Sequence, residues 1–200
     1  LHMLALPQRD PAEIRSKVVL SISTDKANKG RSVEMNEAFA QISDFLGEAV
    51  AMRRREPADD LITRLAEAEI DGDALTEREI VLTTAMFVVA GVESLSSFMS
   101  IFAMNLAQMS DVQSSLRKDP ALMKLAIEES LRFNTSAQRF KRVLTRDVEL
   151  YGQQMRKGEF VVLAYGSANR DERQFPDANK YDLHRNPKGH LGFGTGKHFC

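Results

Sequence analysis

Cysteine is almost absent from this chain: one occurs in 200 residues, and it is the last, Cys200. A single thiol closes no internal disulfide, so the fold must rest on its apolar core, and the chain suits a reducing compartment. An excess of either charge is lacking too, since 27 Lys and Arg face 28 Asp and Glu. That balance excludes the basic footprint of a nucleic-acid binder. The opening "LHMLALPQRDPAEIRSK" is not read as a secretory leader: acid and base arrive early, and no small-residue cleavage site follows an apolar run. Repeats and low-complexity tracts are missing. What is present is 43% hydrophobic residues, enough for the core of one domain.

One long hydrophobic run stands out. Between Ile80 and Met109 the only charged residue is Glu93, and the stretch is long enough to span a bilayer. It also carries many Ser, Thr, Asn and Gln residues, and it lacks an aromatic belt or a basic flank. The expectation is therefore a buried central helix of a soluble core, with no membrane anchor in this segment.

The first half reads as helices. Phe39, Ile42, Phe45, Leu46, Ala49 and Val50 recur at helical spacing up to "RRREP". "PADDLITRLAEAEIDG" predicts a shorter helix opened by Pro57 and closed by Gly72. Thr76 and Glu79 form a capping box that starts the long apolar helix, and "DPALMKLAIEESLRF" predicts another with Pro120 near its start. After Phe133 the period changes. "RVLTRDVELYG" and "GEFVVLAYGSA" are β-branched runs that predict hairpin-like strands joined through "GQQMRKG". A long segment rich in Asn, Asp and Pro then leads to "HLGFGTGKHFC". Loops of that length are uncommon and usually functional.

This terminal turn has three readings. A P-loop needs glycine where Leu191 stands and Ser or Thr where His198 stands, so the phosphate pattern fails. The dinucleotide pattern fails because its third glycine would fall on Lys197. A zinc site would recruit His184, His190, His198 and Cys200, whose spacings match no paired-ligand pattern. The third reading is one thiolate on a large metal cofactor, with backbone N–H groups turned toward the sulfur by a glycine-studded loop. Phe193 would shield such a site, and His198 would meet an acidic group of the cofactor.

"FGTGKHFC" resembles the haem-ligand signature of the cytochromes P-450, with Phe193, Gly194, Gly196, His198 and Cys200 on its motif positions. Three further segments carry the resemblance. Glu129 and Arg132 in "EESLRF" share a helix face and match the family's Glu-x-x-Arg pair, with Arg185 in "KYDLHRNP" as third partner; the family gives this trio a folding role. "VVAGVESLS" is similar to the oxygen-binding groove, with Ala90, Gly91 and Glu93 on their positions and Ser94 where threonine is usual. Arg142, directly before a predicted strand, matches the arginine that pairs with a haem propionate.

The resemblance implies a mainly α fold with small β-sheets, of α+β class, in which residues 1–200 are part of a single catalytic domain. It implies haem b with iron on Cys200, and insertion of one oxygen atom from O2 into a small apolar substrate. Glu93 and Ser94, with water, would relay protons beside the groove at Ala90 and Gly91. Met86, Val89, Ala90, Ser136 and Ala137 match substrate-facing positions. Electrons would come from a ferredoxin- or flavodoxin-type donor with its reductase, because no nucleotide or flavin motif is visible. The wording of the chain resembles the soluble, cytoplasmic bacterial members. The family's opening segment and the helix after the cysteine have no counterpart here, so the sequence reads as an internal piece, and these residues expressed alone are not expected to hold haem stably. Two other readings remain beside this one: a peroxide-dependent haem-thiolate hydroxylase, because Ser94 alters the proton relay, and a haem-binding or sensing protein without turnover.

Overall fold

The computed structural model describes Leu6, residues 10–23 and residues 32–200. Part of the leader reading, at residues 1–5 and 7–9, lies outside the described residues. The chain forms two compact units, residues 1–93 and 94–200.

In the first unit α1 (Pro11–Ile22) packs on α2 (Val33–Arg55), which carries the predicted helical stripe and ends at the three arginines. Its core joins Val18, Ile42, Leu46, Ala49, Val50, Ile62, Ile80, Ala85 and Val88. The helix expected from Pro57 to Gly72 is much shorter. Asp60 caps α3 (Leu61–Ala66) by accepting the Thr63 N–H at 2.9 Å. The chain then turns into a hairpin, β1 (Glu69–Ile70) against β2 (Asp73–Ala74). Asp71 and Gly72 both take positive φ, 55° and 89°, as a two-residue Asp-Gly hairpin turn demands. Gly72 thus serves a hairpin turn and not a helix cap, and α3 ends at Ala66 with Glu67 as its C-cap.

Asp60 also accepts from Arg53 Nε, across a buried ion pair. Burial pushes its pKa up, but the Thr63 N–H, the Arg53 guanidinium and the Thr63 hydroxyl together pull harder and leave it below 3.8. A carboxylate depressed in the fold contributes stability above its unfolded pKa of about 3.9, and that stability is lost as pH falls through the lower folded value. Asp60→Ala is expected to cost about 1–2 kcal/mol at neutral pH. Asp60→Asn should cost less and flatten the loss of stability below about pH 4. Urea midpoints measured across that range check both.

Helix α4 (Glu77–Gln108) begins at the predicted capping box: the Glu79 N–H donates to Thr76 Oγ1, and Glu79 Oε2 accepts the Thr76 N–H at 2.9 Å. It is long and apolar enough to cross a membrane by length and composition. The expected buried helix is buried only in part: Ile80, Thr84, Ala85, Val88, Phe98, Phe102 and Asn105 are buried, while Leu82, Met86, Phe87, Leu95 and Met99 are exposed.

In the second unit α5 (Ser110–Lys118), a short 3-10 turn at Pro120–Leu122 and α6 (Met123–Phe133) pack on a core of Phe98, Phe102, Val112, Leu116, Ala126, Leu131 and Leu183. The sheet region departs from the two-strand expectation. β3 (Phe140–Val143) pairs antiparallel with β6 (Phe160–Leu163), and between them β4 (Val148–Leu150) pairs with β5 (Gln153–Met155). "GQQMRKG" is thus a strand and a turn of its own, because Tyr151 and Gly152 take φ of 51° and 76° and close a tight hairpin. After a single helical turn, α7 (Tyr165–Ala168), the chain meanders to Cys200.

Candidate functional site

The glycine turn is built by backbone conformation. Gly194 and Gly196 take φ of 72° and 69°, where a side chain would be strained. The Gly194 N–H donates to Leu191 O and the Cys200 N–H to Phe193 O, each at 3.0 Å, so the loop folds back on itself. Cys200 and His198 are exposed, His198 within a short 3-10 turn (Gly196–His198). Phe193, 40% exposed, lies edge-on to Phe199 with ring centres 6.1 Å apart.

The meander before this turn is held by α6. Glu129 and Arg132 are both fully buried and joined by two bonds, Arg132 Nε to Glu129 Oε2 at 2.8 Å and Nη2 to Oε1 at 2.7 Å. Arg185 Nε donates to Glu129 Oε1 at 3.1 Å, and the Asp182 N–H to the same oxygen at 3.0 Å. Arg132 also donates to the carbonyls of Asn169, Ala178 and Lys180. The three residues singled out in the sequence therefore meet, and the surface ion pair that i, i+3 spacing alone would suggest is instead an interior clamp. Next to it, Arg170 lies over the Phe133 ring at 3.7 Å and donates to Phe133 O; burial, then the neighbouring Arg132 charge, lowers its pKa. Tyr181 donates to Ala126 O at 2.8 Å, with its pKa raised by burial.

On α4, Met86, Ala90, Gly91 and Ser94 are exposed, while Val89 and Glu93 are half-buried. Met86, Val89, Ala90, Glu93 and Ser94 share one helical stripe by their spacing, with Gly91 beside it. Ser136 and Ala137 are half-buried just after α6. Arg142 is exposed on β3, opposite Val161, with one guanidinium N–H on Lys141 O.

Sequence reasoning missed Asn169 and Thr135 at the root of the cysteine turn, and read His190 there only as a candidate zinc ligand. Asn169 Oδ1 accepts the Leu191 N–H at 2.6 Å, His190 Nδ1 accepts the Gly192 N–H at 3.0 Å, and the Thr135 hydroxyl donates to Gly192 O at 3.4 Å. Asn169 and Thr135 are buried. Each partner is a backbone group far away in the chain or in an irregular turn, so no spacing rule marks it.

A cytochrome P450 family model matches residues 23–200, and the chain belongs to that family. It is 39% identical over 164 residues to a steroid C26-monooxygenase of Mycobacterium tuberculosis, covering 82% of this chain and 44% of that protein. It is 38% identical over 201 residues to nocardicin C N-oxygenase of Nocardia uniformis, covering 100% of this chain and 50% of that one. Among solved structures, ligand-free Cytochrome P450 TbtJ1 matches with TM-score 0.88 and 33% identity, over 100% of this chain and 53% of that one. The chain thus spans about half the length of the relatives it matches, and its fold is the mainly α, partly β fold of the family.

The family's cofactor is haem with cysteine-ligated iron, and the residues here fit it. Among the described residues no group of three or more His, Cys, Asp and Glu gathers to hold a metal. A lone thiol on a doubly left-handed turn suits a metal that brings its other ligands, as a porphyrin does.

Proposed function

We propose that the protein is a haem-thiolate monooxygenase that inserts one oxygen atom from O2 into a small apolar organic substrate. Cys200 is then the iron ligand, with Gly194 and Gly196 shaping the turn and Phe193 shielding the sulfur. His198 and Arg142 hold the two acidic side chains of haem b. Haem, when bound, would supply dioxygen activation, which a thiolate ligand favours. The observation that carries this reading is the lone cysteine closing that glycine turn, in a chain of a cysteine-ligated haem family. Its similarity to a steroid C26-monooxygenase and to a mycinamicin IV hydroxylase/epoxidase supports oxygen insertion as the reaction class.

The chain's own groups do the rest. Ala90 and Gly91 leave space on α4, while Glu93 and Ser94 hold the protons that the reaction consumes. Met86, Val89, Ala90, Ser136 and Ala137 present apolar or small surface to the substrate. Both units belong to one catalytic domain of a cytoplasmic protein. Electrons arrive from a ferredoxin- or flavodoxin-type donor with its reductase.

The whole protein, supplied with such a donor chain, labelled O2 and a substrate found by binding spectra, should place label in the product. Turnover with peroxide alone would replace this reading with the peroxide-dependent one. Ser94→Ala is expected to cut product per electron about tenfold and raise peroxide release, while Ser94→Thr keeps coupling. Equal product per electron in all three proteins would remove Ser94 from the relay.

A further inference from the structure

His190 sits ten residues before the cysteine, and its side chain is only 7% exposed. Both ring nitrogens are engaged. Nδ1 accepts the Gly192 N–H at 3.0 Å, and Nε2 lies 3.0 Å from Glu128 Oε2. An N–H donor on one side and a carboxylate acceptor on the other admit one neutral tautomer, with the proton on Nε2. Glu128 is the residue of α6 next to buried Glu129 and is itself half-exposed. A Cβ on Gly192 would lie 2.9 Å from His190 Nδ1 and 3.0 Å from Leu131 O, so the ring takes space that only glycine leaves.

Leu191 and Gly192 carry the other ties at the root of the turn. Asn169 and Thr135 hold Leu191 N–H and Gly192 O, and Leu191 O accepts from Gly194. Among the described residues, His190 is what joins this root of the turn to a charged group on α6, Glu128. We propose that His190 is a positioning residue for the Cys200 ligand: its Nε2–H tautomer, fixed by Glu128, presents Nδ1 to Gly192 and so sets the path of the turn that carries the thiolate. This rests on the reading of Cys200 as the haem ligand. Groups that orient a metal ligand typically change affinity or activity about 10- to 100-fold.

Amide side chains separate the two ring contacts. Asparagine places an acceptor where Nδ1 stands, and glutamine reaches toward Glu128 but leaves the Gly192 N–H without its partner. In the haem-loaded whole protein, His190→Asn should keep the thiolate form, seen in the reduced carbon monoxide spectrum, to within about twofold. His190→Gln and His190→Ala should lose it about tenfold faster on storage. Unfolding midpoints of the Asn and Gln variants should agree, which a purely structural role would not combine with different thiolate retention. Nitrogen NMR of the wild type should show His190 protonated at Nε2. Asn and Gln variants that lose the thiolate alike, an Ala variant that keeps it, or an Nδ1–H ring would each overturn the proposal. A wild-type protein with no thiolate spectrum would overturn the Cys200 reading and this one with it, whereas a normal wild-type spectrum unmoved by His190→Ala would overturn this one alone.

Discussion

Arg132→Ala is expected to cost about 3–5 kcal/mol, enough to unfold much of the second unit at ordinary temperature. The size follows from its partners. A guanidinium has five N–H donors, and all are used: Nε and one Nη2 proton on Glu129, two Nη1 protons on Asn169 O and Ala178 O, and the last on Lys180 O. Both charged side chains are fully buried. Removing the cation leaves Glu129 with Arg185 as its remaining cationic partner and takes the donors from two carbonyls of buried residues, Asn169 and Ala178. Each orphaned carbonyl adds about 1–3 kcal/mol.

A buried ion pair can often be replaced by apolar side chains at little cost. That exchange should fail here. Glu129→Leu with Arg132→Met removes both charges but still leaves the carbonyls of Asn169 and Ala178 and the Asp182 N–H without their side-chain partners. Arg132→Lys should also fall well short, because an ammonium has three donors and no planar fork. Urea unfolding of the four proteins measures this. Full recovery in the double variant would show that the clamp is a charge pair only, and that its bonds to the meander contribute little.

How much of this was legible beforehand follows the separation of the partners. The Thr76–Glu79 box and the glycine turn are local devices, set by three-residue spacing and by φ, and both were readable. The i, i+3 spacing of Glu129 and Arg132 was readable too. Their burial was not, because it depends on carbonyls 37, 46 and 48 residues away. The β3–β6 pairing brackets an inner hairpin, which β-branched patterning alone cannot distinguish from a simple two-strand ribbon. Gly72 after Asp71 is a hairpin signal, but the helix period of the residues before it masks that signal. The role of His190 beside Glu128 has no local signal, because the two lie 62 residues apart.

Cys200→Ser is expected to remove the thiolate signature completely and bring oxygenation below detection, while leaving the fold almost untouched. The two effects separate because the residue engages the loop and the cofactor through different atoms. Its loop contact is main-chain: the Cys200 N–H donates to Phe193 O at 3.0 Å, and serine keeps that donor. The side chain is exposed, so exchanging sulfur for oxygen should move the unfolding midpoint by no more than about 0.5 kcal/mol equivalent. The chemistry changes far more. A thiol binds a metal as the thiolate, and its soft sulfur donates electron density that an alkoxide or water does not match. The sequence has one cysteine, so no neighbouring thiol within it can take over. Arg132→Ala should lose haem and fold together; Cys200→Ser should lose thiolate ligation alone. A serine variant that retains the reduced carbon monoxide spectrum of the wild type would place the ligand elsewhere. One that unfolds like the Arg132 variant would show that the sulfur, and not the backbone of the turn, holds this end of the chain.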